Sequence, residues 1–273
     1  MKIWLDGALC DEAEARISPF DHGLLTGDGA FETLRVYGGI PFALRRHLLR
    51  LGRSAAGLGL ALPPAAELSR AGADVIAANG IAEGRLRITV TGGPGPLGSE
   101  RGDGGPTTVV AAAALVPLPP TVDVVMAPWP RNERGATAGL KTISYADNVV
   151  ALAHARARGA GEAVFANSAG RLCEGTGTNV FIAIGDRLLT PPLSSGCLAG
   201  VTRELLLEAG VAGEEDLDPS GLAHAEEAFL TSSTREVHPI RAVDGRPLPR
   251  CPGPLTQRAA EAFAAILAGG KDP

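Results

Sequence analysis

The chain has 273 residues, of which 45% are hydrophobic and 20% are charged, with a formal net charge of −5. This composition excludes an intrinsically disordered protein, and the lack of a basic stripe argues against nucleic acid as a partner. No segment approaches the ~20 uninterrupted apolar residues that a membrane span requires, so we expect a cytoplasmic protein that does not contact a membrane. Its four cysteines form no CxxC pair and its five histidines show no ligand spacing, so neither a metal site nor a disulfide framework is expected.

Strand-like and helical patterns alternate over the first 115 residues. Short apolar runs between turn residues predict strands, whereas leucines recurring three and four positions apart predict helices. In chain order we expect strands at 2–5 and 31–37, helices at 41–58 and 65–79, and strands at 85–91 and 107–115. These elements predict a small N-terminal α+β domain over residues 1–115.

The stiff, extended segment Val116-Pro117-Leu118-Pro119-Pro120 predicts an interdomain linker at 116–121. Beyond it we expect strands at 122–127, 162–166, 178–184 and 227–231, helices at 147–158 and 201–209, and a hairpin at 243–245. These patterns predict a larger C-terminal domain over residues 122–273, which would contain Lys141. The predicted fold class is α/β (α+β) with two domains.

Lys141 is a candidate for covalent chemistry because arginine replaces lysine almost everywhere in this chain. Only Lys2, Lys141 and Lys271 remain. A Schiff base needs a primary amine that can lose its proton, which arginine cannot do at ordinary pH. The alternative is a solvated surface lysine, which is what most lysines are. The neighbouring residues Leu140 and Ile143 indicate a strand edge with little water, which favours the first reading.

Glu174 lies in a glycine-spaced turn, Cys173-Glu174-Gly175-Thr176-Gly177, that leads into an apolar strand. It is either an acid of a surface turn or an inward carboxylate that keeps a pyridine nitrogen protonated, which would make a cofactor ring an electron sink. From the residues alone, both readings stay open.

Two segments could bind a phosphate through backbone N–H groups and hydroxyls. Gly200-Val201-Thr202 opens a helix, and Thr231-Ser232-Ser233-Thr234 follows a strand. Arg50, on the predicted helix that also carries His47, could add a charge-assisted contact. Each signal is weak alone, because serine and threonine also cap helices and most helical arginines are solvated.

The segment Gly93-Pro94-Gly95-Pro96-Leu97-Gly98 matches the dinucleotide-binding pattern GxGxxG after a predicted strand. Its two prolines and the polar residues 99–103 exclude the helix that would have to receive a pyrophosphate. A nicotinamide enzyme is therefore not expected.

Taken together, the motifs resemble the class IV aminotransferases, the fold-type IV pyridoxal 5'-phosphate enzymes that include D-amino acid aminotransferase, branched-chain aminotransferase and aminodeoxychorismate lyase. The resemblance covers nearly the whole chain. It rests on Asp21-His22-Gly23, Gly27 to Glu32, His47 to Leu51, Gly139 to Thr142, Glu174 to Phe181, Gly196 to Arg203 and Glu227 to Val237.

The resemblance implies a two-domain pyridoxal phosphate enzyme with Lys141 as the Schiff-base lysine and proton carrier. It places Glu174 on the pyridine nitrogen. It implies phosphate or cofactor contacts for Arg50, Val201, Thr202, Ser233, Arg134 and Tyr145. It also implies a homodimer whose active sites lie at the subunit interface, completed by residues near the partner's N-terminus.

Within the family, Gly27-Asp28-Gly29 is similar to the D-amino acid aminotransferase and lyase branches, and the Tyr-x-Arg-Pro strand of branched-chain enzymes is not visible. The Arg-x-His carboxylate trap of D-amino acid aminotransferases is missing, because residues 91–95 read Thr-Gly-Gly-Pro-Gly. The expected activity is amino transfer from a D-amino acid, or also an (R)-amine, to a 2-oxo acid. The alternative is aminodeoxychorismate lyase; branched-chain transamination and a non-catalytic cofactor-binding protein rank below it. The substrate candidates are Phe31, Arg35, Arg87 and Arg131.

Overall fold

The computed structural model describes residues 1–273, and the chain divides into two compact units. Unit 1 comprises residues 1–116, Leu140–Tyr145 and Lys271–Pro273, and unit 2 comprises 117–139 and 146–270. The division after Val116 falls inside the linker predicted at 116–121. The segment around Lys141 differs from expectation, because it packs with unit 1 and not with the C-terminal domain. None of the helices is long and apolar enough to cross a membrane.

Unit 1 is an antiparallel six-stranded sheet, in the order β2-β1-β6-β5-β3-β4, with helices packed against it. Its elements are β1 (Lys2–Leu5), β2 (Ala8–Asp11), α1 (His22–Leu25), β3 (Gly29–Tyr37), β4 (Ile40–Pro41), α2 (Leu44–Leu58), α3 (Ala65–Ala78), β5 (Glu83–Thr91) and β6 (Thr108–Ala114). The helix predicted from Pro41 begins at Leu44 instead, because Ile40 and Pro41 pair with β3 and Ala43 takes a left-handed conformation with φ 54°.

Alternation along β3 and β5 separates a core face from an outer face. Leu34 of β3 and Leu86 and Ile88 of β5 are fully buried and join Leu51 of α2 and residues of α3 in one core cluster. The intervening residues of β5, Arg85, Arg87 and Thr89, therefore point to the other face of the sheet, as the period of two requires.

Unit 2 contains a nine-stranded sheet in the order β12-β11-β10-β13-β14-β7-β8-β9, with β15 on β14 and β9 paired back to β10. Its elements are β7 (Val122–Met126), α4 (Ala146–Ala157), β8 (Glu162–Ala166), β9 (Leu172–Gly175), β10 (Asn179–Ile184), β11 (Arg187–Thr190), a 3-10 turn (Leu193–Ser195), α5 (Val201–Glu208), β12 (Gly213–Glu214), α6 (Pro219–Ala223), β13 (Ala228–Ser232), β14 (Glu236–Val243), β15 (Arg246–Pro247) and α7 (Pro254–Gly269). The β9–β10 pairing closes six of these strands into a ring around a core of valine, leucine and isoleucine.

The segment that mimics a dinucleotide motif lies in the loop between β5 and β6, as its prolines predicted. Backbone hydrogen bonds tie it to the start of α1: Gly93 O accepts from His22 N at 2.9 Å, and Gly95 N donates to Phe20 O at 3.0 Å. The loop therefore leads into β6 and not into a helix.

Candidate active site

Main-chain bonds attach Lys141 to β3 and α2 of unit 1. Phe31 N donates to Lys141 O at 3.1 Å, and Lys141 N donates to the hydroxyl of buried Ser54 at 3.0 Å. The neighbouring Thr142 forms a bridge with Ala30, and Ile143 N donates to Gly29 O at 2.9 Å. This short segment therefore extends the sheet edge and fixes where the Lys141 side chain starts.

The Lys141 amine lies over aromatic rings. Its Nζ is 4.4 Å from the centre of the Phe31 ring and 5.9 Å from that of Tyr145. The two rings pack edge to face with centroids 5.2 Å apart. Contacts of this kind stabilise a cation and present an apolar surface next to the amine. Phe31 and Tyr145 are thus neighbours of Lys141.

Arg87 lies against the same phenylalanine ring. Its guanidinium carbon is 3.8 Å from the centre of the Phe31 ring, and its Nε donates to the Thr89 hydroxyl at 3.0 Å. Burial lowers the pKa of Arg87 from its ordinary value. A partly desolvated guanidinium on the aromatic ring that the lysine amine also contacts is suited to bind a carboxylate through charge-assisted hydrogen bonds.

The other two predicted substrate arginines have protein carboxylates as partners. In unit 1, Arg35 Nη2 donates to Glu83 Oε2 at 2.9 Å, and the Arg35 guanidinium lies 4.8 Å from the Tyr37 ring centre. In unit 2, Arg131 Nε lies 3.4 Å from Glu174 Oε1. Of the three candidates, only Arg87 lies against the ring that also contacts Lys141.

Arg50 belongs to a buried ionic cluster of unit 1. Its Nε and Nη2 donate to the two oxygens of Glu32 at 2.7 and 2.8 Å, and His47 Nδ1 lies 2.6 Å from Glu32 Oε2. Burial by itself would raise the pKa of Glu32, but Arg50 and His47 outweigh it and hold that pKa well below its usual range. Burial lowers the pKa of His47 and favours its neutral form.

Glu174, on β9, is a mostly buried carboxylate with two partners inside unit 2. Its Oε2 accepts from Leu198 N at 2.9 Å, and its Oε1 faces Arg131. Arg131 is itself held, since its guanidinium stacks 4.3 Å from the Phe165 ring centre and its Nη1 donates to Asn148 Oδ1 at 3.0 Å. Glu174 is therefore not an acid of a surface turn, and a carboxylate fixed in this way suits a hydrogen bond to a protonated ring nitrogen.

Val201 and Thr202 form the buried first turn of α5, and no side chain caps that turn. Gly200 precedes them, and a Cβ there would lie 2.0 Å from Asn179 Oδ1, so any larger residue would displace the Asn179 side chain or the turn. Ser233 occupies the turn between β13 and β14, just after Thr231, whose buried hydroxyl has no hydrogen-bond partner. Backbone N–H groups at a helix start together with hydroxyls are the donors that a phosphate monoester needs, so these residues fit the phosphate of a cofactor.

Arg134 has an exposed side chain. It is 86% exposed and lies 3.8 Å from the carboxylate of the adjacent Glu133. Such a side chain is not fixed by burial, so the fit to a phosphate rests on the other donors.

The class IV amino-transferase family model matches residues 29–243. The chain belongs to the class IV aminotransferases. It is 32% identical to a D-alanine aminotransferase of Bacillus licheniformis over 94% of each chain, and 29% identical to a branched-chain-amino-acid aminotransferase of Salmonella typhimurium over 98% of this chain and 93% of the relative. An aminodeoxychorismate lyase of Bacillus subtilis is 30% identical over 89% of this chain and 86% of the relative.

Solved class IV structures have the same fold. A branched-chain aminotransferase of Thermoproteus uzoniensis, solved with norvaline, superposes with a TM-score of 0.91 at 34% identity and covers 98% of this chain and 95% of its own. The Escherichia coli branched-chain enzyme gives 0.92 at 26% identity, with the same coverage. A hypothetical aminotransferase of Mycobacterium tuberculosis in its PLP-bound form gives 0.86 at 27% identity over 98% and 99%. These findings confirm the predicted family, the two-domain α/β fold and the pyridoxal phosphate cofactor.

Several site residues escaped the sequence reading. Glu32 and Ser54 contact Arg50 and the Lys141 backbone, and Asn148 contacts Arg131. One signal existed for Glu32, because it falls on the core face of β3 between Ala30 and Leu34, where a charge needs a buried partner. No local pattern marks Ser54 or Asn148.

Proposed function

We propose that this class IV aminotransferase takes the amino group of a D-amino acid and transfers it to a 2-oxo acid. The observation that carries the proposal is that the Lys141 amine and the Arg87 guanidinium both lie against the Phe31 ring, at 4.4 and 3.8 Å. An amine able to carry a proton and a cation able to bind a carboxylate are the two groups that amino acid transamination requires next to each other.

In unit 1, Lys141 is proposed to be the residue that would hold the cofactor covalently. Its amine would also remove the substrate Cα proton and return it, acting as general base and general acid. Pyridoxal phosphate, when bound, would supply the electron sink that this proton removal needs. Tyr145 and Phe31 cover the amine, and Arg50 is proposed to contribute a phosphate contact while Glu32 fixes its guanidinium.

In unit 2, Glu174 is proposed to keep the pyridine nitrogen protonated, with Arg131 as its partner. The N–H groups of Val201 and Thr202 and the hydroxyl of Ser233 are proposed to bind the phosphate, because no side chain caps the first turn of α5. These donors carry no net charge, and their role would be to fix the position of the cofactor phosphate by hydrogen bonds. The dipole of α5 would add electrostatic stabilisation of the phosphate dianion.

Arg87 is proposed to bind the α-carboxylate of the donor. The sequence predicted a relaxed pocket open to (R)-amines, because the usual Arg-x-His trap is missing. An amine without a carboxylate would leave the Arg87 guanidinium, whose pKa is lowered by partial desolvation, without an anionic partner from the substrate. We therefore expect (R)-amines to be poor donors.

Branched-chain L-amino acids are a second candidate donor class. Supporting them, the branched-chain enzymes named above share the fold at TM-scores above 0.9, and the Thermoproteus uzoniensis enzyme reaches 34% identity. Aminodeoxychorismate lyase is a third candidate, supported by the Bacillus subtilis relative. Lysine-catalysed proton removal is common to all three, so the fate of the substrate decides between them.

The deciding experiment mixes cofactor-loaded protein with one donor and no 2-oxo acid acceptor. D-alanine, L-leucine, (R)-1-phenylethylamine and aminodeoxychorismate are compared by the change in cofactor absorbance and by the product released. One equivalent of pyruvate from D-alanine supports the proposal, while one equivalent of 2-oxo acid from L-leucine alone establishes the second candidate. Repeated release of pyruvate and 4-aminobenzoate from aminodeoxychorismate establishes the lyase. Lys141→Ala must abolish the visible cofactor absorbance and all three activities.

We also propose a homodimer, as the family resemblance implied. Unit 1 exposes a patch formed by Ile17, Phe20, Leu24, Leu25 and Leu97, whose side chains are between 38% and 76% accessible. The hydrogen bond from Gly95 N to Phe20 O brings the two segments of the patch together. Exposed apolar residues on neighbouring segments are typical of protein contacts, so light scattering of the holoenzyme should give twice the 27.8 kDa chain mass.

A further inference from the structure

Glu162, the first residue of β8, is a buried carboxylate with partners on two sides. Its side chain is 2% exposed. Its Oε1 accepts from Thr176 N at 3.1 Å and from the Thr176 hydroxyl, and its Oε2 accepts from Arg235 Nη2 at 3.1 Å. A buried carboxylate is costly unless it is paired and hydrogen-bonded, so Glu162 holds Thr176 and Arg235 together.

One arm of this network leads to Glu174. The Thr176 carbonyl accepts from Asn148 Nδ2, and Asn148 Oδ1 accepts from Arg131 Nη1 at 3.0 Å. Arg131 Nε in turn lies 3.4 Å from Glu174 Oε1. Thr176 and Asn148 are buried, so these contacts are shielded from water and from salt.

The other arm leads to the turn that contains Ser233. Arg235 closes this turn, because its backbone N–H lies 3.1 Å from the Ser232 hydroxyl and 3.2 Å from the Ser232 carbonyl oxygen. Its side chain leaves the turn for Glu162, and its Nη1 lies 3.3 Å from His238 Nδ1. The Arg235–Glu162 ion pair therefore fixes the turn to β8.

We infer that Glu162 is a positioning residue that couples the carboxylate of Glu174 to the turn of Ser233. The inference rests on the proposed roles of Glu174 at the pyridine nitrogen and Ser233 at the phosphate. Glu162 itself touches neither group. Through Thr176, Asn148 and Arg131 on one side and Arg235 on the other, it sets the two anchoring points of one cofactor relative to each other.

Each link in the network has little freedom. Arg131 stacks on Phe165, donates to Asn148 and pairs with Glu174, so its side chain has few alternative positions. A displacement of Asn148 should therefore change the distance between Arg131 and Glu174. Side chains joined in one network of hydrogen bonds and ion pairs typically show non-additive effects when they are changed together. A change in the Ser233 turn should therefore alter the charge held at Glu174 through Arg235, Glu162, Thr176, Asn148 and Arg131.

The test uses the holoenzyme and follows the visible absorbance of the bound cofactor against pH, because the midpoint of that titration reports the charge held near the ring. The primary variant is Arg235→Gln, since Arg235 is 19% exposed and Glu162 is 2% exposed. We expect the proton affinity that this midpoint reports to change by about 3- to 10-fold. Arg235→Lys keeps the positive charge, so its midpoint should lie close to that of the parent enzyme.

Arg241→Gln is the matched control. Arg241 lies on the same strand, β14, and pairs with Asp123 at 2.8 and 2.6 Å, outside the network. Its loss should leave the midpoint unchanged. If Arg235→Gln weakens binding of pyridoxal phosphate more than binding of pyridoxal but leaves the midpoint unchanged, Arg235 acts locally on the turn and the coupling is refuted.

Glu174→Gln separates this inference from the proposed function beneath it. If Glu174→Gln does not move the midpoint, the proposed role of Glu174 fails and the coupling fails with it. If Glu174→Gln moves the midpoint while Arg235→Gln does not, the coupling alone fails. If both move it, the double variant should move it by less than the sum, because the two changes act through the same carboxylate.

Discussion

Arg131 Nε lies 3.4 Å from Glu174 Oε1, and both side chains are at least four-fifths buried. The sequence suggested Arg131 as a substrate residue, but this contact makes it a partner of the carboxylate proposed to bind the cofactor ring. Charged pairs shielded from water interact more strongly than exposed pairs, so the contact should influence how firmly Glu174 holds its charge.

We therefore expect Arg131→Gln to lower kcat by about tenfold, the equivalent of about 1.4 kcal/mol, with little change in the KM of the amino donor. The physical reason is that Glu174 loses its cationic neighbour while the substrate loses nothing. Steady-state kinetics with the best donor measures both constants, and the exposed Arg187→Gln is the control. A raised KM with an unchanged kcat would return Arg131 to the role of substrate residue.

Arg87→Gln should raise the KM of an amino acid donor by about 10- to 100-fold, because a charge-assisted contact to the carboxylate is lost. The cofactor absorbance should stay as in the parent enzyme. Arg85→Gln is the matched control, since Arg85 lies two residues away on the same exposed face of the strand, whereas Arg87 lies against the Phe31 ring. Equal losses in both variants would mean that general positive charge, and not Arg87, attracts the donor.

Glu32→Gln should lower the free energy of unfolding by about 3 kcal/mol at pH 7, because it leaves buried Arg50 without its carboxylate. The pKa of Glu32 is depressed in the folded state, so its contribution to stability is complete above an unfolded-state pKa of about 4.3 and is lost as the pH falls below it. Urea unfolding between about pH 5 and 3 should show a shallower decline in the variant. An identical slope would mean that Glu32 does not remain ionised.

Gly200→Ala should weaken cofactor binding and destabilise the protein by about 1 to 3 kcal/mol. The added Cβ would lie 2.0 Å from Asn179 Oδ1, so either the Asn179 side chain, which donates to Leu198 O, or the first turn of α5 would have to shift. Gly213→Ala, where the nearest side-chain atom would be 3.7 Å away, is the control. Equilibrium dialysis with pyridoxal phosphate and thermal unfolding measure the two effects; parent-like cofactor affinity would show that the first turn of α5 does not bind the phosphate.

Local patterns predicted the elements that carry most of the site. The apolar run at 178–184 is β10 and the alanine-rich segment after Asp147 is α4. Both were predictable because their apolar residues show a strand or helix periodicity within a short segment. Lys141 stood out because arginine has replaced nearly every other lysine. The helix at Pro254–Gly269 was missed, although Gly253 and Pro254 form a start signal for it.

Contacts between distant parts of the chain could not be predicted. Glu162 reads as a solvated acid at the start of a strand, and only the arrival of Arg235, 73 residues later, explains its burial. In the same way, the sequence placed Lys141 in the C-terminal domain, whereas its backbone packs with unit 1. The reason is its bonds to Phe31 and Ser54, which lie 110 and 87 positions earlier in the chain. Periodicity reports which face of an element is buried but not what covers it.

The segment Leu140–Tyr145 gives the chain an unusual route, since the polypeptide leaves unit 1 after Val116, returns to it at Leu140, and returns again at Lys271. A fragment ending at residue 116 would therefore lack the backbone that pairs with Gly29 to Phe31, and would expose that sheet edge. Expression of the first 116 residues alone should yield an aggregation-prone polypeptide. A single protease cut within 117–121 should leave both pieces associated until denaturant is added, because each piece supplies part of unit 1.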